Sequence, residues 1–526
     1  MAVWHKSDIY FKKSVECVNK TSITDSNCQP SLNTKTIIKI HFSLGKCGLV
    51  KVLNQMYMSR EGLVIILCLH IGVLSSQNFG RQNHPMNRLS SNEAVLNYWE
   101  EQNPTVNETY RKISEILSNH KKSGYGDLVN SEEYKKWITD HNIKLLGGPM
   151  LGNVKADGIS VWVRTALPGE VKVTVEKAGF RRVYKPETTK PGNDLSAVIQ
   201  IDGLEPNQKY FYSLSINGER INPFRNYSFT TAPEQNSPVR LAFGSCPHRW
   251  GLGHQSLWSQ IERRDPDAML ILGDIAVQDR NGHLGNHRLD YVARDFQQPW
   301  AEFTSKFPVY ASWDDHDYFD NDKSGVPEGY TISDKEGVWE VFKNSWNNPS
   351  YGLDDSSKGI FTRTRIGGID ILMTDNRYFR TGKEGDFLGD EQMEWLKKQL
   401  LDCKGPFIVL SCGTMWSDYV SNGKDSWGRY DPQGREELLT FIEKNNIEGV
   451  IFVSGDRHGA RGFTIPRESG FQFYEFEAAS LGGRVGPPAI DDSWETQLYG
   501  YDAVFAFGEL TFHLDPTNPS VTFRLI

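Results

Sequence analysis

From Val239 to the end of the chain one pattern recurs: a short apolar run halts abruptly at glycine or polar residues. Ala268–Leu272 stops at Gly273-Asp274, and Phe307–Trp313 stops at Asp314-Asp315-His316-Asp317. Val239–Phe243 leads to Gly244-Ser245-Cys246, and Ile369–Thr374 to Asp375-Asn376-Arg377. Phe407–Leu410 leads to Ser411-Cys412-Gly413, and Gly449–Val453 to Ser454-Gly455-Asp456-Arg457-His458. Runs of this kind predict strands buried on both faces, as in parallel sheets. Amphipathic segments lie between them: Met393, Leu396 and Leu400 share one face, as do Leu438, Leu439 and Ile442. Strand–helix alternation predicts a layered α/β domain over residues 237–526. Phe471–Glu477, Val504–Leu510 and Val521–Ile526 read as strands at the sheet edges.

Upstream the period changes. Ala94-Val95-Leu96, Ile113/Ile116/Leu117 and Tyr134/Trp137/Ile138 recur at helical spacing, so residues 77–146 are expected to be a helical segment bracing its neighbour. Over 147–236 the apolar residues mostly alternate instead, as in Val171/Val173/Val175 and Tyr210/Tyr212/Leu214/Ile216, between Gly, Pro and Asn breaks. That pattern predicts an all-β sandwich. Gly203-Leu204-Glu205-Pro206 ahead of Tyr210-Phe211-Tyr212 resembles the corner of a fibronectin type III module, and the tyrosines are expected to pack there rather than bind anything. Thr231–Pro238, polar with two prolines, suits a linker.

The amino terminus carries a different signal. Met58-Ser59-Arg60-Glu61, the apolar run Leu63–Leu74 and Ser75-Ser76 have the layout of a secretory signal peptide over 58–76. The run is short for a bilayer span, so no transmembrane anchor is expected. Translation is then expected to start at Met56 or Met58, with residues 1–57 a doubtful extension; the alternative is an authentic extension ahead of a signal-anchor helix. A secreted chain fits the sequons at Asn107 and Asn226, both acceptors for N-glycans.

Composition narrows the partners. A net charge of −8 and no basic tract argue against nucleic acid or an anionic membrane. Fourteen Trp and 12% aromatics belong to a packed globular chain. Beyond the signal only Cys246, Cys403 and Cys412 remain, too few for a disulfide scaffold. The strand between Cys403 and Cys412 would hold those two apart.

The strand ends deliver Cys246, Asp274, Asp314, Asp315, His316, Asp317, Asp375, Asp456 and His458 to one edge, where α/β sheets hold their ligands. Carboxylates gathered so closely repel unless cations neutralise them. Carboxylate and imidazole suit divalent ions, and a thiolate adds a preference for iron or zinc. A central carboxylate such as Asp274 can bridge two ions, an arrangement suited to phosphoryl displacement. Singly, each residue has an ordinary explanation: Cys246 as a small core hydrophobe, Asp-Asp-His as a helix cap.

Taken in order, Gly244-Ser245-Cys246, Gly273-Asp274, Trp313–Asp317, Asp375-Asn376-Arg377 and Ser454–His458 resemble the PhoD-type alkaline phosphatases of the metallophosphoesterase superfamily. The resemblance covers roughly residues 147–526. It implies a four-layer αββα domain preceded by a fibronectin-III/Ig-like sandwich, and hydrolysis of phosphate mono- or diesters by a metal-activated hydroxide. It also implies two metal ions of iron and calcium type, with zinc or manganese as alternatives. Cys246, Asp274 and His458 would hold the first; Asp274 would bridge to the second, completed by Asp315 and Asp456. His316 would be the general acid, and Asn321 would contact the substrate phosphate.

One position departs from the family. Where it carries a tyrosine ligand, three residues after the bridging Asp, this chain has Val277, and Gln278, Asp279 or His283 would have to compensate. Val277 also sustains the alternative of a secreted binding or scaffold protein on an inactive phosphatase fold.

Overall fold

The computed structural model describes residues 91–222, 225, 227–353, 357–380, 386–417, 426–486, 494–502 and 504–526. The expected signal segment 58–76, the extension before it and Asn226 lie outside the described residues.

Side chains alternate across a strand, so a fully buried strand must feed two cores. In Ala268–Leu272, Ala268, Leu270 and Leu272 enter one apolar cluster while Met269 and Ile271 enter another. Ile369–Met373 divides likewise: Ile369, Ile371 and Met373 share the first cluster, and Leu372 faces a third. The first cluster therefore fills the space between two sheets. Helices cover the outer faces. Gln255–Arg263 contributes Leu257, Trp258 and Ile261 on one side. Asp390–Asp402 and Pro432–Lys444 contribute Leu396, Leu400, Leu438, Leu439 and Ile442 on the other. Each such side chain contributes roughly 1.5–3 kcal/mol by leaving water.

Both sheets are mixed. The five-stranded sheet runs Val309–Ser312, Ala268–Leu272, Val239–Gly244, Gly508–His513, Ser520–Leu525, with its first three strands parallel. The seven-stranded sheet runs Thr362–Ile366, Ile369–Met373, Phe407–Ser411, Val450–Ser454, Gln472–Ala478, Ala460–Pro466, Gln497–Tyr501. Gln472–Ala478 is thus an interior strand, not the edge expected from the sequence. Its buried Glu475 and Glu477 break the apolar pattern, and both find internal partners. Glu475 accepts from the amides of Trp416 and Ser417 and from the Ser454 hydroxyl. Glu477 pairs with Arg461. Gly508–His513 is interior as well.

Ahead of these sheets, residues 145–230 form two antiparallel sheets. One holds Leu145–Lys155, Gly158–Thr165 and Ser196–Ile201; the other is built around Glu170–Lys177 and Lys209–Ile216. Val161, Val163, Val171, Val173, Val175 and Leu214 pack together between them. Tyr210 and Tyr212 are both buried; the Tyr210 hydroxyl accepts from the Glu205 amide, and the Tyr212 hydroxyl donates to the Ser305 carbonyl. Asn347 donates to the carbonyls of Met150 and Ser160, tying the module to the α/β layers.

The helical segment docks on Leu284–Asp295. Asn103 caps Pro104–Leu117, whose Tyr110, Ile113 and Leu117 meet Leu289, Val292 and Ala293. Contact is so close that a Cβ on Gly285 would lie 2.0 Å from the Leu117 carbonyl oxygen. Asn107 sits in this helix with its amide reciprocally paired to that of Asn97. Among the described residues no helix is long and apolar enough to cross a membrane. Cys246, Cys403 and Cys412 are all free thiols.

Candidate metal centre

The site forms where strands stop. Gly273 turns the chain at φ +91, and any Cβ there would press to 2.5 Å from the Asp314 Cβ, so only glycine lets the two strand ends approach. The next loop is stitched to this turn: the Cys246 amide donates to the Gly273 carbonyl and the His248 amide to that of Asp274. Cys246, His248, Asp274, Asp456 and His458 all have left-handed backbone, with φ of 54, 48, 53, 77 and 51. Each such conformation costs on the order of 1–2 kcal/mol and persists only where the surrounding structure imposes it.

Three sets of potential ligand atoms result, each lying within 4.8 Å of one another: Cys246, His248, Asp274 and His458; Asp274, Asp315 and His316; Asp274, Asp314, Asp315 and Asp456. Asp274 belongs to all three. The residues singled out from the sequence as ligands, Cys246, Asp274, Asp315, Asp456 and His458, are therefore brought together. Asp274 is buried with Oδ2 3.6 Å from the Cys246 sulfur and Oδ1 without a hydrogen-bond partner. Nε2 of His248 and Nδ1 of His458 are buried and, like that oxygen, lack partners among the described residues. A buried polar atom left unpaired costs about 1–3 kcal/mol, and these three belong to residues of one ligand set. Such a donor set fits cations.

The electrostatics agree. Burial, then the Asp274 charge, drives the Cys246 thiol well above its ordinary range. Burial holds His458 down at about 3, helped by the Arg484 charge. A bound cation would reverse the first, favouring the Cys246 thiolate, and would agree with the second, since it takes a neutral His458 imidazole.

Around this core the carboxylates divide by partner. Asp315 accepts from the amides of His316 and Asp322. Asp314 is held by Arg377, at 2.5 Å, and by Asn376. Asp317 accepts from the amides of Ile275 and Ala276, bracing the Asp274 loop. Asp375 stands outside the ligand sets, its oxygens taken by Trp313 and by the amides of Ile360, Arg377 and Tyr378. It is a clamp, not the member of the metal edge that its strand-end position suggested. Cys412 packs in the outer apolar cluster.

His316 has Nδ1 2.5 Å from an Asp279 oxygen. Burial alone would lower its pKa, but the charge of Asp274 and the bond to Asp279 hold it well above the ordinary value. Asn321 is exposed on the loop whose next residue, Asp322, donates to Asp315. Two residues escaped the sequence reading. His248 follows Cys246 by two positions, a Cys-x-His spacing that was the available signal. Arg484 is exposed, and its charge disfavours protonation of both His248 and His458.

The comparisons with known proteins converge on this half of the chain. Residues 241–500 match the PhoD-like phosphatase family, and residues 142–234 a domain of unknown function, DUF7800. Alkaline phosphatase D of Bacillus subtilis (strain 168) is 24% identical over 380 residues, 60% of this chain and 64% of the relative, so this chain spans just under two thirds of that protein. Among solved structures, PhoD superposes with a TM-score of 0.59 at 18% identity, covering 72% of this chain and 89% of that one. A purple acid phosphatase, PPD1 from yellow lupin seeds, gives 0.51 at 17% identity over 72% and 73%. These likenesses carry the α/β fold with its mixed sheets. Residues 241–500 thus match a PhoD-like phosphatase domain, in keeping with the alkaline phosphatase D relative and the PhoD fold.

Proposed function

We propose that this protein is a secreted, metal-dependent phosphoric ester hydrolase. The carrying observation is the set of three ligand groups that share Asp274, with unpartnered buried atoms on Asp274, His248 and His458. Cys246, Asp274 and His458 would hold one ion; Asp274, Asp315 and Asp456 would hold the other. Iron and calcium are the pair the family resemblance suggests, with zinc or manganese as alternatives. Bound there, two cations supply Lewis-acid stabilisation of phosphoryl oxygens and acidify a water nucleophile.

The protein's own groups do the rest. Asp279 fixes the His316 ring through Nδ1, leaving Nε2 to donate a proton to the leaving-group oxygen. Arg484, exposed beside the two site histidines, is placed to attract the phosphate dianion, with Asn321 as a further rim contact. Mono- and diesters both meet these requirements. We also assign residues 147–236 to a fibronectin-III/Ig-like sandwich, 237–526 to the catalytic domain, and the described part of 77–146, residues 91–146, to its helical brace.

The test is hydrolysis of an aryl phosphate monoester and diester by the full chain and by Asp274→Ala, with and without chelator. Activity that disappears in the variant and under chelation supports the proposal. A folded protein inert with calcium, iron, zinc and manganese alike would sink it in favour of the inactive scaffold that Val277 suggests.

A further inference from the structure

The family's tyrosine ligand is absent, and the structure gives a specific account of what stands in its place. Val277 is fully buried in the apolar cluster behind the sheet. His283 spends Nδ1 on the Asn286 amide, capping the helix Leu284–Asp295. Asp279 is engaged with His316 and with the Gln278 amide. None of these joins the ligand sets.

His248 does join them. It shares one set with Cys246, Asp274 and His458, and its residue is 2% exposed. Its ring stacks on Trp250 at 5.1 Å and 17°, which fixes the ring plane. Its Nδ1 lies 2.8 Å from the Gln278 side-chain oxygen. That amide's orientation is set by its nitrogen, which donates to an Asp279 carboxylate oxygen at 3.0 Å. An amide oxygen only accepts, so the proton sits on Nδ1 and the lone pair on Nε2. Nε2 is buried and has no partner among the described residues. A ligating histidine is oriented through its other nitrogen in this way.

We propose that His248 is a ligand of the first metal ion, replacing the lost phenolate, and that Gln278 is its positioning residue. The inference rests on the metal-site reading above. A donor set of one thiolate, two imidazoles and one carboxylate lacks the hard phenolate that favours a ferric ion. It suits a divalent ion of the zinc or ferrous class. The first site of this protein should therefore take Zn²⁺ or Fe²⁺ and lack the visible phenolate-to-iron absorption.

The experiment compares full-length wild type, His248→Ala and Gln278→Leu. Each is stripped of metal, then titrated with Zn²⁺ and with Co²⁺ as spectroscopic probe, with circular dichroism reporting folding. Wild type should bind Co²⁺ with a thiolate charge-transfer band and tetrahedral-type visible absorption. His248→Ala should weaken first-site affinity at least ~100-fold and change that spectrum, and Gln278→Leu should weaken it ~10- to 100-fold. Unchanged affinity and spectrum in both variants would overturn the assignment while leaving the metal site standing. Should His248→Ala fail to fold, Gln278→Leu decides alone. Wild type that binds neither ion would instead refute the metal-site reading itself.

Discussion

Asp279 and His316 form a carboxylate–imidazole pair across the mouth of the site, Oδ1 to Nδ1 at 2.5 Å. Burial would raise the Asp279 carboxyl, yet the bond and charge of His316 keep it down at about 2. Asp279→Asn should therefore leave the fold intact and lower kcat ~10- to 1,000-fold with little change in KM. The loss should be largest for alkyl phosphates, whose leaving groups need the proton, and smallest for nitrophenyl esters. Steady-state rates across leaving groups check this; a uniform loss would argue against proton donation.

Asp274 is buried and its carboxyl is pushed upward by burial foremost, then by the neighbouring Asp315, Asp314 and Asp317, against the opposing charge of His316. Asp274→Asn removes that repulsion. In chelator the variant should melt a few degrees above wild type, while with metal the order should reverse and hydrolysis should drop by at least ~10³-fold. Thermal melts with and without added ions supply the readout. A variant destabilised in both conditions would contradict it.

Arg377 and Asp314 are both fully buried, with guanidinium and carboxylate in direct contact. Removing one partner of such a pair typically costs about 3–5 kcal/mol, more than removing both. Arg377→Met alone should lose roughly that much stability, and adding Asp314→Asn should restore part of it. Urea unfolding of the two single variants and the double would measure the coupling.

His287 is buried, with Nε2 2.6 Å from the Asn281 carbonyl, and burial lowers its pKa to about 4. The unfolded imidazole titrates near 6.5, so below that pH the unfolded state takes up a proton that the native state refuses. The histidine's contribution is thus intact above pH 6.5 and lost as pH falls toward 4, by roughly 3 kcal/mol in all. His287→Gln should flatten that part of the stability–pH curve. An identical acid slope in the variant would count against the assignment.

The sequence displayed the α/β layers because each buried strand announced itself as an apolar run with a polar stop. Glu475 and Glu477 made the strand Gln472–Ala478 read as an edge rather than an interior one, since their partners Trp416, Ser417, Ser454 and Arg461 lie at other places in the chain. Strand-end position alone could not separate Asp274, which meets other potential ligand groups, from Asp375, whose oxygens are taken by donors. His248 was overlooked because a strand-end rule places side chains by distance from the strand. His248 has a left-handed backbone at φ 48 and lies within one of the ligand sets.

That backbone has a consequence for how the site can change over time. Cys246, His248, Asp274, Asp456 and His458 occupy conformations that, glycine apart, are tolerated best by Asn, Asp and His and poorly by β-branched residues. The single mutations the scaffold accepts most easily at these points are thus exchanges of one ligand chemistry for another. Such a centre can drift between metals by swapping donors in place, without rebuilding the loops that present them.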